Sequence, residues 1–159
     1  MDVEQISAIA VDCGLRVHRD LGPGMLESAY EAVLAHLLEK HGLLVERQKV
    51  ISIIYDGVVI EQGFRADIIV EKKLLIELKT VERLSLVHAR QVMTYLKFTN
   101  LHVGLLMNFS GEKFKDGLRR IVNNHLETAN STLAINQNSS RSFATSQTSR
   151  EIGTGFDNG

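Results

Sequence analysis

Disulfide chemistry is the first thing this chain lacks. Its single cysteine, Cys13, has no partner for an internal bridge and no companion thiolates for a zinc cluster. Proline occurs once, at Pro23, and the composition sits near the globular average, which excludes collagen-like, disulfide-rich and wholly disordered chains. An excess of one charge is also missing. With 18 basic and 19 acidic side chains the formal charge is −1, which rules out a generally basic nucleic-acid coat but allows local basic and acidic patches. No apolar run approaches the ~18 residues of a membrane helix; the longest, around Val103–Met107, is far shorter. The opening residues Met1–Leu15 carry acids where a signal peptide needs positive charge, so a reducing, cytoplasmic compartment is expected. The six histidines form no His-x-x-x-His or cysteine-containing ligand set, and no Gly-rich loop ends in Gly-Lys-Ser/Thr, so neither a zinc enzyme nor an ATPase is expected.

The chain that remains, 159 residues at 44% hydrophobic, suits one compact domain with a tail. Composition changes sharply after Glu127. Of the 31 residues from Ala129 to Gly159, 19 are Ser, Thr, Asn, Gln or Gly. Such a stretch buries too little apolar surface to offset its chain entropy, so residues 1–128 are expected to fold and 129–159 to be a disordered tail.

Within the domain, Ile6, Ile9, Ala10, Cys13 and Val17 recur at helical spacing, and Leu21-Gly22-Pro23-Gly24 then breaks the chain. A second helix carries Leu26, Tyr30, Val33, Leu34, Leu37 and Leu38 on one stripe. Strands follow at about Val45–Tyr55, onward from the Asp56-Gly57 hairpin signal to about Val70, and at about Leu74–Thr80. Residues 86–98 read as helix, Val103–Phe109 as a buried strand, and Glu112–Leu126 as a final helix burying Phe114, Leu118, Ile121 and Val122. The stretch from Leu74 to Phe109 has the length of a right-handed crossover between parallel strands. The expected fold is α/β (α+β), a mixed four-stranded sheet flanked by helices.

Chemistry concentrates in one hairpin, 64–80. If its turn centres on Lys72, Asp67 stands opposite Glu77 and Arg65 opposite Lys79, while Ala66, Ile68, Val70, Leu74, Ile76 and Leu78 form the apolar face. Opposed carboxylates about 4.5–5.5 Å apart at Cβ repel unless a cation lies between them. A hard divalent ion, above all Mg²⁺, suits all-oxygen ligands, and Lys79 projects from the same face as Glu77. The same residues could instead form a solvated salt-bridge lattice. Glu27 could serve such a site or simply favour the positive end of the second helix. Tyr30 and Cys13 read as core. Gln91 and Tyr95, four apart on the next helix, share a face.

An Asp on the second strand, Glu-x-Lys on the third and Gln-x-x-x-Tyr on the following helix resemble the PD-(D/E)XK nuclease superfamily, with its αβββαβ restriction-endonuclease-like core. The stretch Leu21–Glu31 resembles the signature of its small bacterial GxxExxY branch, falling here on Gly24, Glu27 and Tyr30. Ala66 stands where the superfamily name has proline. The resemblance implies a nuclease hydrolysing DNA with Mg²⁺, or Mn²⁺ in its place. Asp67, Glu77, Glu27 and the Leu78 backbone carbonyl would bind the metal. Lys79 would orient or deprotonate water, or offset phosphate charge, and Gln91 and Tyr95 would line the site. Lys113, Lys115, Arg119 and Arg120, with Arg83, Arg90 and Lys97, are the basic residues available for phosphates. The contrasting expectation is a nuclease fold without catalysis that binds nucleic acid or supports assembly, and a homodimer is the default oligomer.

Overall fold

The computed structural model describes residues 1–124; the tail at 129–159 lies outside them. Two helices open the chain. Asp2 caps α1, Val3–Leu21, by accepting from the Gln5 backbone at 2.8 Å while its own N–H donates to the Gln5 side chain. Helix α2 spans Glu27–Lys40. Strands β1, Val45–Tyr55, and β2, Val58–Val70, form a long hairpin, followed by β3, Leu74–Lys79. Helix α3, Leu86–Thr99, leads to β4, Val103–Asn108.

The five strands lie in sequence order. Strand β3 is antiparallel to β2 and parallel to β4, as the crossover length requires. The sheet separates two apolar layers. Ile68, Val70, Leu74, Ile76 and Leu78 pack with α1 and α2 side chains such as Ile6, Val17 and Leu34. On the opposite face Ala66, Ile69, Leu75 and Leu106 pack against Val92 and Leu96 of α3. Both β3 and β4 are covered on both faces, which is why they read as unbroken apolar runs.

The β2–β3 register pairs Ile68 with Ile76 and Val70 with Leu74, as the apolar pattern demands. The turn achieves this without Gly or Asn. Glu71 and Lys72 take left-handed backbones, φ 52° and 54°, which a tight hairpin of this twist needs at both central positions. Glu71 is tied down separately: its backbone N–H donates to the Leu44 carbonyl at 2.9 Å, and its side chain accepts from the Leu44 N–H at 2.7 Å.

Two expectations are corrected. Ala66 does not share a face with Ile68; it belongs to the α3 layer, so the pleat of β2 breaks at Asp67. The described part of the segment expected as a helix at Glu112–Leu126 is instead a 3₁₀ turn, Phe114–Gly117, and a fifth strand, β5, Leu118–Val122, with 125–126 outside the described residues. Among the described residues the sheet therefore has five strands rather than four. Buried β4 explains this, since its second edge would otherwise leave backbone N–H and C=O groups unpaired away from water. Strand β5 fills that edge antiparallel. Leu118 and Ile121, three apart, would share a helix face, but on the strand they enter opposite layers.

The β4–β5 junction is tight. A Cβ on Gly117 would lie 2.5 Å from the Asn108 carbonyl oxygen. Asn108 in turn accepts from the Val81 N–H at 3.0 Å and donates to the Val81 carbonyl at 2.7 Å, fixing the chain just after β3. Gly117→Ala should therefore cost about 1–3 kcal/mol. Gly111→Ala, whose added Cβ meets nothing nearer than 3.8 Å, should stay within about 0.5 kcal/mol. Urea unfolding of both variants checks the contrast.

Candidate active site

The site forms where β2 and β3 part company. Their ladder is regular only from Ile68/Ile76 to the turn. Beyond it Asp67 substitutes its side chain for a backbone partner, Oδ2 accepting from the Leu78 N–H at 2.9 Å. Glu77 and Lys79 flank Leu78, whose side chain is in the core. By strand alternation both share the face of Leu75, the α3 side.

Glu77 is the anomaly. It is 3% exposed. Its Oε1 accepts from the Lys79 ammonium at 2.8 Å, and its Oε2 is buried with no partner. Burial, and then the charge of Asp67, push its carboxyl from 4.5 up to about 7, against the pull of Lys79. Asp67 is also raised, mainly by burial, although the Leu78 N–H and Lys79 oppose this. Glu27, in the first turn of α2, is raised by burial while Lys79 opposes and Asp67 adds to the shift. Burial alone would lower Lys79, but Glu77, Glu27 and Asp67 outweigh it and the amine is held above its usual value. Lys79 is thus a fixed cation among three acids.

Helix α2 is aimed at this point by Tyr30. The ring is fully buried and stacks on Phe109 at 4.7 Å. Its hydroxyl donates to the Gly22 carbonyl at 2.5 Å and accepts from the Met25 N–H at 3.2 Å, locking the loop that precedes Glu27. The core reading of Tyr30 is borne out, with the hydroxyl satisfied.

Gln91 and Tyr95 lie on α3, over the sheet face that carries Glu77. They bond each other, Gln91 Nε2 donating to Tyr95 Oη at 2.8 Å, and Tyr95 stacks on Phe64 at 4.1 Å. Neither hydrogen-bonds a carboxylate of the site. The basic residues are more scattered. Lys113 and Lys115 are exposed around the 3₁₀ turn. Arg119 and Arg120 are adjacent on β5 and so point to opposite faces of the sheet. Arg120 pairs with Glu4 of α1, and Arg119 donates to the Asp116 and Leu118 carbonyls at 2.9 and 2.8 Å. Lys113 and Lys115 precede the strand and Arg119 and Arg120 face apart on it, so the four do not share one face as on the expected helix. Arg83, Arg90 and Lys97 are exposed at α3. His18 bonds the Gly111 carbonyl at 2.7 Å.

Sequence reasoning missed a second layer beneath Asp67. Glu31, buried one turn after Glu27, accepts from Arg47 Nε at 2.8 Å and from Gln48 Nε2, and Gln48 Nε2 also lies 3.4 Å from Asp67 Oδ1. The i,i+4 spacing of Glu27 and Glu31 was a usable signal; nothing in a strand pattern points to Gln48.

A family model of the PD-(D/E)XK nuclease superfamily matches residues 4–121. The chain belongs to this superfamily. No curated protein and no solved structure matches it. The superfamily match spans nearly all of α1, all of α2, α3 and β1–β4, and most of β5, so the hairpin acids and the α2 acid all fall within it.

A divalent ion fits what is present. The unpartnered Glu77 oxygen, the mutual repulsion of Asp67, Glu77 and Glu27, and an all-oxygen donor set each call for positive charge. Among the described residues no three His, Cys, Asp or Glu side chains form a ready-made cage. A hard ion that keeps several waters needs only one or two carboxylates.

These shifts fix a pH dependence. Glu77, Asp67 and Glu27 are all raised in the fold, so the native state holds protons that the unfolded chain has released. Stability should therefore fall as pH rises from about 4.5 to about 7, by up to about 3 kcal/mol for Glu77 alone. Lys79 titrates above this window and does not alter the sign. Urea unfolding in chelator between pH 4.5 and 8 should show the decline, with a shallower slope in Glu77→Gln.

Proposed function

We propose that the protein is a divalent-cation-dependent nuclease hydrolysing DNA phosphodiester bonds, with Mg²⁺ as the ion and Mn²⁺ able to replace it. The observation that carries this reading is the buried, unpartnered Glu77 oxygen beside two further raised carboxylates and a fixed ammonium. The Gly24, Glu27, Tyr30 spacing supports placement in the GxxExxY branch.

In this reading Asp67 and Glu77 would hold the ion, and the Leu78 carbonyl and Glu27, directly or through water, could contribute to holding it. When bound, such an ion would supply an ionised water and Lewis-acid polarisation of the phosphoryl oxygen. The chain's own residues do the rest. Leu78 N–H fixes the Asp67 carboxylate in one orientation. Lys79, held protonated by the surrounding acids, is poorly suited to act as a base; it orients the water or stabilises charge developing on phosphate. Gln91 and Tyr95, joined as one unit, form the wall against which the phosphodiester is positioned. Lys113, Lys115 and Arg119, with Arg83, Arg90 and Lys97, are the cations available to the phosphate backbone; Arg120 would first have to leave Glu4.

Titration of Mg²⁺ and Mn²⁺ against single-stranded, duplex and branched DNA tests this reading. Cleavage should appear only with the ion and fall more than about 100-fold in Glu77→Ala and in Lys79→Ala, with both variants still folded. Cleavage by purified Glu77→Ala at the wild-type rate would overturn the proposal. Metal-independent DNA binding without turnover would establish the non-catalytic binding module instead.

A further inference from the structure

Strand β1 contains one residue whose backbone is unsuited to a strand. Gln48 has φ 49°, a left-handed conformation that costs a non-glycine residue free energy. Its neighbours pair normally, Arg47 with Ile68 and Lys49 with Ala66, but the register skips the Gln48–Asp67 position between them. Ala66 and Ile68 consequently fall in different apolar layers. The eversion therefore affects both strands at one point, and that point is Asp67.

The everted side chain reaches two acids. Its carboxamide nitrogen donates to Glu31 Oε2 and lies 3.4 Å from Asp67 Oδ1. Both partners are carboxylates, which accept and cannot donate while ionised, so only the amide nitrogen with its two hydrogens can face them. Glu31 is itself anchored, 3% exposed and paired to Arg47 at 2.8 Å. The opposite Asp67 oxygen is fixed by Leu78 N–H.

We infer that Gln48 is a positioning residue for Asp67, its carboxamide tying that carboxylate to the anchored Glu31 so that it is presented to a cation in one orientation. The inference rests on the cation-site reading above and adds to it a residue that touches no reacting atom. The strained backbone has a physical reason on this account, because a regular strand conformation would not carry the amide to the Glu31–Asp67 gap.

Glycine separates a positioning role from a structural one. At φ 49° glycine relieves strain while removing the amide, so Gln48→Gly should unfold at a temperature equal to or above that of the wild type. Its dissociation constant for Mn²⁺, read from the free-ion EPR signal, should nevertheless rise about 10–100-fold. Gln48→Met, which keeps the length and removes the donors without adding a charge, should weaken Mn²⁺ to a similar extent. In metal-free protein the two Gln48 amide protons should give separate, slowly exchanging NMR signals that shift in Asp67→Asn. Wild-type Mn²⁺ affinity in either Gln48 variant, or solvent-like amide signals, would overturn the inference and leave the nuclease reading intact. Failure of the wild type itself to bind Mn²⁺ would overturn both.

Discussion

A carboxylate has been placed where water cannot reach it. Glu77 sits on the central strand of a sheet covered on both faces, and one of its oxygens has no partner. An unpaired buried charge is among the costliest features a fold can carry, and the neighbouring side chains respond to it. Lys79 returns along the strand to bond its other oxygen, Asp67 turns aside onto Leu78 N–H, and the carboxyl itself is pushed toward neutrality. A protein selected for stability alone would replace such a group with an apolar side chain. The cation proposed for this nuclease superfamily domain would complete it.

The scaffold is arranged to hold that strained point still. Strand β3 is pinned by β2 on one edge and β4 on the other, while Asn108 clamps both backbone groups of Val81 immediately after Lys79. Tyr30 fixes the loop before α2 and so the position of Glu27. Glu31, Arg47 and Gln48 support Asp67 from behind. Each of these elements is more rigid than a surface loop, which suits a site whose acids must stay close despite their repulsion. In contrast, the end of the β1–β2 hairpin, which carries none of the site's acids, leaves Val50, Ile54, Tyr55, Val58 and Val59 exposed.

Much of this was legible from residue order because the governing patterns are short-range. The period-2 apolar pattern of 68–78 fixed the hairpin register from Ile68/Ile76 to the turn. The expected Asp67–Glu77 and Arg65–Lys79 pairs do not form in the ladder, because Asp67 turns onto the Leu78 N–H instead. The crossover length fixed the parallel pairing of β3 and β4. Failures came where a distant partner decides. Phe114, Leu118, Ile121 and Val122 fit a helix as well as a strand, and only the open edge of β4 selects the strand. The pleat break at Asp67 depends on the backbone of Gln48, nineteen positions away along the chain, which no local pattern in either strand reveals. The same change from helix to strand dispersed the basic residues at 113–120.

If a cation completes Glu77, the titration of that carboxyl must respond to it. Carboxyl ¹³C NMR of Glu77 in chelator should show a midpoint near the raised value of about 7. Saturating Mg²⁺ should lower that midpoint by more than one pH unit, because a bound cation favours the ionised form. A midpoint that Mg²⁺ leaves in place would contradict the account.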